Sequence, residues 1–183
     1  FNKKKRIVSE QDKYKITNSY TKFRIKIFNY MKFLKRKKNL KFCNLILFNH
    51  DSEFRKSSFL IPRLISLAKK KNIISLKKIY KENIIGDFSH AHDICSAIYL
   101  LIKKKVCVDR LILSSGKKTE VNKIINYLLT RHFHLKKISI LVKKNNKYII
   151  GNNSLAKKIL NWKIKKNVFL AIDDMLKIKS NYI

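Results

Sequence analysis

Glycine, proline and alanine are nearly missing from this chain, with 3 Gly, 1 Pro and 5 Ala in 183 residues. Gly86, Gly116 and Gly151 lie far apart, so they cannot form a Gly-rich phosphate loop, and no Gly/Ser linker marks a domain boundary. Acidic residues are scarce as well, at 11 against 44 Lys and Arg. The three cysteines, Cys43, Cys95 and Cys107, are too few and too scattered for a disulfide framework. All three sit in apolar segments, which predicts small core residues in a reducing cytoplasm. No apolar run approaches the roughly 18 residues of a membrane span; the best is Ile94 to Ile102. Neither a membrane partner nor a signal peptide is expected. The chain opens on Phe1 and not on Met, as a fragment or truncated reading frame would.

What is abundant is lysine, isoleucine and asparagine: 37 Lys, 27 Ile and 17 Asn, beside only 7 Arg. The formal net charge of +33 would ordinarily suggest nucleic acid or an anionic surface. The favoured residues, however, have A/T-rich codons and the depleted ones G/C-rich codons. The bias then follows the genetic code, and no nucleic-acid partner is needed to explain it. Aromatic and basic residues also do not read as the interleaved stacking platform of single-strand binders. Hydrophobic residues make up 45%, enough for one ordinary domain with a real core.

Hydrophobic spacing outlines alternating helices and strands. Residues 1–16 read as a loop. Phe23, Ile27, Tyr30, Met31 and Leu34 recur at helical spacing over Tyr20 to Lys38. Lys41 to Phe48 is a short apolar run suited to a buried parallel strand, followed by a loop at Asn49 to Ser52. A helix is expected over Phe59 to Lys71, with Pro62 in its first turn, and then a short strand at Ile73 to Leu76. Tyr80 to Ser89 reads as a connection and Asp93 to Lys104 as a helix capped near His90. Further on come a strand at Arg110 to Leu113, a helix capped by Thr119, a strand at Ile138 to Val142 and two last helices, over 153–160 and 167–179. The alternation predicts an α/β fold with a mostly parallel sheet. His90/His92 and His132/His134 are too far apart, and too far from Cys, to read as a metal site. Trp162 reads as a core anchor.

Four stretches carry a family resemblance. Asn44 to Glu53, N-L-I-L-F-N-H-D-S-E, resembles the N-G-I-L-F-N-H-E-S-P segment of GDP-mannose 4,6-dehydratases, members of the extended short-chain dehydrogenases. Tyr20 lies 30 residues before His50, where that family places its catalytic tyrosine, and Glu10 stands at a family glutamate. Gly86 to Asp93, G-D-F-S-H-A-H-D, is similar to R-D-W-G-H-A-K-D. Ile150 to Trp162 is similar to L-G-D-P-S-K-A-K-K-K-L-G-W. The resemblance implies the C-terminal part of a Rossmann-like parallel sheet with a small α/β substrate-binding region. Residues 1–57 would then belong to the nucleotide-binding domain and 58–183 mainly to the substrate region, with 108–116 returning to the main sheet.

The resemblance also implies chemistry. NADP would take hydride from C4 of the hexose of GDP-mannose or a related nucleotide sugar. The ketone would acidify C5, water would leave from C6, and the hydride would return to C6. A tyrosine acts as base for the C4 hydroxyl only with a cation one helical turn away, and Tyr20 is followed at that spacing by Arg24 where the family has Lys. Tyr20 and Arg24 are the expected catalytic pair. Together with Leu47, Asn49 and His50 they form the expected cofactor end, while Asn49, Arg63 and Lys143 (or Lys144) are expected at the substrate. Departures from the family pattern are Gly86 for a phosphate-gripping Arg, Val142 and Asn145 for an Arg and a Glu at the nucleotide ribose, and Lys13 and Ile16 for two loop prolines. The G-x-x-G-x-x-G cofactor loop and the C5 base would fall before Phe1. An upstream half is therefore an expected partner, with homo-oligomers if the enzyme is complete. Other nucleotide-sugar epimerase or dehydratase activity, a non-catalytic remnant and a basic nucleic-acid module stand as the alternatives.

Overall fold

The computed structural model describes residues 6–145 and 147–180, with side chains to Lys177. It is α/β, with parallel strand pairs and helices packed on them, as the alternation predicts. Strand β1 (Ile7–Val8) precedes helix α1 (Ser19–Lys38). Asn18 opens α1 through a reciprocal cap: its Oδ1 accepts from Thr21 N at 2.9 Å, and Thr21 Oγ1 accepts from Asn18 N at 3.1 Å. Strands β2 (Asn44–Leu47) and β3 (Asn49–Asp51) follow, then helices α2 (Leu60–Lys69) and α3 (Ile73–Lys81). Short strands β4 (Ile85–Gly86) and β5 (Phe88–His90) lead into α4 (Ala91–Lys103) and β6 (Arg110–Leu113). Strand β7 (Thr119–Glu120), helix α5 (Val121–Tyr127) with a π-helical turn at Leu128–His132, strand β8 (Ile150–Gly151), and helices α6 (Ser154–Leu160) and α7 (Val168–Ser180) complete it.

Three strand pairs are parallel: β1 with β8, β2 with β6, and β3 with β5. The pair β4–β7 is antiparallel. Two cores result. One gathers Ile61, Leu64, Ile65 and Ala68 of α2 with Leu76, Ile124, Ile125, Leu128 and Ile172. The other packs Ile94 and Ala97 of α4 against Leu111 and Leu113 of β6 and against Ala156, Leu160 and Trp162. Trp162 is the expected anchor: its Nε1–H donates to Asp93 O at 3.0 Å.

Several local expectations fail for identifiable reasons. Residues 1–16 are not all loop, because Ile7–Val8 pairs with Ile150–Gly151; residues 1–5 lie outside the described residues. Strand β2 is half-buried, with Leu47 43% exposed; among the described residues it is paired only on its β6 side. Asn49–Asp51 is strand, its polar side chains concealing a pairing with Phe88–His90. Ile73–Leu76 is the start of a helix. Asn72 Oδ1 caps it by accepting from Ser75 N at 3.0 Å, and a four-residue run with three apolar residues was too short to reveal the period. Ile138–Val142 forms no strand, since the Asn126 side chain takes the partner's place: its Oδ1 accepts from Ile138 N at 2.9 Å and its Nδ2 donates to Ile138 O at 3.2 Å. Thr119 is not a cap. It lies in β7, and Glu120 precedes α5 without a side-chain cap. Cys95 and Cys107 are exposed and Cys43 is partly buried, so the cysteines are not core residues.

Candidate functional site

Helix α1 and strand β2 define one end of the site. Asn18 fixes the start of α1, which sets Tyr20 in its first turn and Arg24 one turn further. Both side chains are exposed and line a cleft of about 500 Å³ whose far wall is Asn44 to Leu47. Lys15 lines the same cleft; no spacing to Tyr20 marked it in the sequence. Two aromatic residues, Tyr14 and Phe28, also line the cleft. Tyr14 meets Phe28 edge-on at 5.5 Å, and the Arg110 guanidinium lies 5.2 Å and 5.6 Å from those two rings. Glu10 turns inward instead, its Oε1 accepting from Ile112 N at 2.9 Å.

Three further clefts continue from this one through shared lining residues. Ile46 and Leu47 also line a cleft of about 510 Å³ with Asn49, His50 and Arg55. Asn49 and Arg55 in turn line a smaller cleft of about 220 Å³ with Asp51, Phe59, Ile85 and Gly86. Ile85 opens the last, about 830 Å³, walled by Tyr80, Tyr127 and Phe169 and by Lys118, Lys123, Lys137 and Lys144. Taken together as a trough, these neighbouring clefts have a Tyr–Arg pole and an aromatic, lysine-rich pole. Tyr20, Arg24, Leu47, Asn49 and His50 fall along its first half. Arg63 is exposed on α2 and lines none of these clefts. Lys143 is tied to Glu82 at 2.6 Å, whereas its neighbour Lys144, with Val142 and Asn145, lines the large cleft.

The polar side chains of the trough are held by backbone. His50 Nδ1 lies 2.8 Å from Phe48 O; an imidazole can meet a carbonyl only by donating. Asn49 Nδ2 donates to Asp87 O at 3.1 Å. Asp87 itself is fully buried and gave no signal in the sequence beyond its place in the G-D-F-S-H stretch. Its Oδ1 accepts from Ser115 N at 2.8 Å and Ser115 Oγ at 2.6 Å, and its Oδ2 accepts from Gly116 N and Gly151 N, each at 3.1 Å. Burial raises its carboxyl from the ordinary range, against the pull of those four donors. Two glycines serve this knot. Gly116 has a φ of 69°, and a Cβ on Gly151 would meet Ser114 Oγ at 2.5 Å and the Phe48 ring at 2.7 Å.

The histidine pairs are divided between two carboxylates. His90 Nε2 lies 3.1 Å from Asp174, and His132 Nε2 lies 2.9 Å from Asp173, which also accepts from Tyr127 Oη at 2.8 Å. His90 Nδ1 accepts from His92 N at 3.0 Å, so its proton sits on Nε2, toward Asp174. Helix α1 departs from expectation in one further respect. Exposed Tyr20, Phe23, Tyr30 and Phe33 do alternate with Lys22, Arg24, Lys26 and Lys37 on it.

The fold is one shared with solved nucleotide-sugar epimerases and dehydratases. The fold is that of UDP-glucuronic acid 4-epimerase from Bacillus cereus in complex with NAD (TM-score 0.76, 13% identity, 98% of this chain and 58% of that one). It is also that of dTDP-glucose 4,6-dehydratase from Bacillus anthracis in complex with NAD (TM-score 0.78, 14% identity, 99% and 57%). RMD from Pseudomonas aeruginosa, complexed with NADPH, matches at a TM-score of 0.74 and 16% identity over 93% of this chain and 58% of that one. The chain thus spans between half and two-thirds of these structures. No curated protein matches it in sequence. The family model described as GDP-mannose 4,6 dehydratase matches residues 2–175, and the chain belongs to that family.

Proposed function

We propose that the chain carries the Tyr-helix and substrate side of a nucleotide-sugar epimerase/dehydratase, and that its reaction is the 4,6-dehydration of GDP-mannose. The observation that carries this reading is the placement of Tyr20, Arg24, Leu47, Asn49 and His50 in two clefts that share Ile46 and Leu47. The family match and the N-L-I-L-F-N-H segment support the mannose form.

A nicotinamide cofactor, when bound, supplies the acceptor and later the donor of hydride. Its ring end fits what is present, namely an open cleft bordered by Leu47 and the phenol of Tyr20. Its pyrophosphate end does not, because none of the three glycines forms a phosphate loop. A working enzyme would draw that part, and the base for C5, from another polypeptide segment. Within this chain, Tyr20 Oη removes the proton of the hexose C4 hydroxyl, and the Arg24 guanidinium stabilises the phenolate. Asn49, anchored on Asp87 O, orients the sugar. His50 lines the cleft beside it.

Co-expression with the polypeptide encoded immediately upstream tests the reading, with NADP or NAD and GDP-mannose as substrates. The expected product is the 4-keto-6-deoxy sugar nucleotide, and Tyr20→Phe is expected to lower kcat by about 100-fold or more. An epimerase needs C4 oxidation and reduction alone, so conversion of UDP-glucose or UDP-glucuronic acid in parallel assays would assign epimerisation in its place. Inactivity on all three sugars with both halves folded would refute both activities.

A further inference from the structure

We propose that Cys43 and Cys107 form a reversible redox site, a thiol pair that closes into an intrachain disulfide and ties the entry of β2 to the entry of β6. Cys43 stands just before β2 and Cys107 three residues before β6. The two strands run parallel, with Asn44 opposite Arg110, and a bond from Asn44 N to Asp109 O at 3.2 Å sits where the pairing begins.

Each sulfur is already turned toward the other's segment. Cys107 Sγ donates to Phe42 O, beside Cys43, at 3.4 Å. The Val108 N–H, beside Cys107, lies close enough to the Cys43 thiol to pull it down against the larger effect of burial, and a thiolate at Cys107 raises it in turn. Both sulfurs therefore face the same gap between the strands. Neither cysteine belongs to a helix or a strand, so side-chain rotation and a small shift of two connecting segments bring the sulfurs to bonding distance with the β2–β6 ladder intact.

The two thiols divide the roles. Cys107 is exposed and Cys43 partly buried, so a disulfide oxidant such as glutathione disulfide reaches Cys107 first. The Cys107 thiolate attacks one sulfur of the oxidant, and one glutathione thiolate leaves. The Cys43 sulfur then attacks the Cys107 sulfur of the mixed disulfide, and the second glutathione leaves. The two thiol protons end on the two glutathiones, and two electrons pass from the cysteine pair to the oxidant. Lys35, held by Asp109 at 2.7 Å, attracts both thiolates. The bond encloses every element from β2 to α4 in one loop, which restricts the unfolded chain and stabilises the fold. It also lies at the foot of β2, one wall of the Tyr20 cleft. In a reducing compartment such a bond is transient and answers to oxidant.

Peptide mapping tests the assignment on the chain itself, after equilibration with set ratios of reduced to oxidised glutathione and blocking with N-ethylmaleimide. Trypsin cleavage after Lys41, Arg55, Lys81, Lys103, Lys105 and Arg110 puts Cys43, Cys95 and Cys107 on separate peptides. In the folded chain the Cys43–Cys107 link is expected to exceed any link to Cys95 by at least about 10-fold, because the fold raises the effective concentration of that pair alone. In urea the preference should pass to Cys95–Cys107, which closes the shortest loop. Oxidation should raise the urea midpoint of the wild type and leave those of Cys43→Ser and Cys107→Ser where they were. Links to Cys95 as frequent as Cys43–Cys107 in the folded chain would overturn the proposal. So would Cys107 held only as a glutathione mixed disulfide with Cys43 still open to maleimide, or both thiols open at every ratio.

Discussion

Replacing Asp87 by Asn should destabilise the fold far more than a neutral isostere suggests. The carboxylate receives four donors, two on each oxygen. An amide keeps one acceptor oxygen, and the better flip leaves Ser115 N on it, since the Ser115 hydroxyl can rotate. The NH₂ then faces Gly116 N and Gly151 N, so donors meet donors in a fully buried site. Each unpaired buried N–H costs about 1–3 kcal/mol, giving on the order of 4 kcal/mol for the pair. Part of this is offset, because the amide avoids burying a charge, the same desolvation that raises the Asp87 carboxyl. A net loss of about 2–3 kcal/mol remains. Trp162 is the one tryptophan and is 3% exposed, so urea unfolding at pH 7 can be followed by its fluorescence. Ser115→Ala is the comparison: it removes one hydroxyl donor and leaves three, at about 1 kcal/mol. If Asp87→Asn costs no more than Ser115→Ala, the four-donor knot is not what joins the β4–β5 turn to the Ser115 loop and β8.

Lys71 and Lys105 follow α2 and α4 at φ values of 52° and 50°, closing them with the paired C-terminal bonds that glycine usually serves. Lys105→Gly is therefore expected to stabilise the chain by about 1 kcal/mol, read as a higher urea midpoint at unchanged slope. Asp174 is held below the ordinary carboxylate range, first by its hydrogen bond with His90. A depressed carboxyl stabilises the fold above its ordinary value of 3.8 and stops doing so as pH falls through the lower folded value. Asp174→Asn should thus lose stability at pH 6–7, by no more than about 1 kcal/mol for a partly exposed pair, and match the wild type once acid has protonated the carboxyl. An unchanged difference at low pH would argue against the His90–Asp174 linkage. Burial pushes the Cys43 thiol up to about 11, whereas Cys95 and Cys107 are exposed. At pH 8 a thiol reagent should titrate two groups quickly and the third slowly, with Cys43→Ser removing the slow phase.

Long periodic segments were legible in the sequence, and short ones were not. Helices α1, α2 and α4 follow from 3.6-residue spacing, and β6 from a compact apolar run. The failures lie where side chains replace backbone or polar residues enter a strand. Asn126 supplies both partners that a strand would have given Ile138. Asn49 and Asp51 read as loop because their side chains are polar, yet their backbone completes β3. The site divides in the same way. The Tyr20–Arg24 pair is a local spacing on one helix, visible in one dimension. Lys15 and Asp87 take their places through groups distant in the chain: Lys15 through β2, and Asp87 through residues 115, 116 and 151. No local pattern encodes such meetings.

The asparagine excess takes on a different meaning once the fold is known. With three glycines available, left-handed positions must go to other residues, and Asn39, Asn83 and Asn161 hold three of them. Asn18 and Asn72 cap α1 and α3 through Oδ1, and Asn167 Oδ1 accepts from Phe169 N and Leu170 N at the start of α7. Asn126, Asn145 and Asn153 bond to backbone at Ile138, Asn83 and Ser114. A residue that tolerates positive φ and can both donate and accept thus takes over duties that glycine, serine and aspartate share in ordinary compositions. Lysine has no comparable use inside, and nearly all lysines stay at the surface. The two excesses therefore carry different information. Among the described residues, the lysines lie at the surface, with Lys71 and Lys105 alone among them at positive φ. These nine asparagines each hold a particular backbone position, and there the excess bears on the fold.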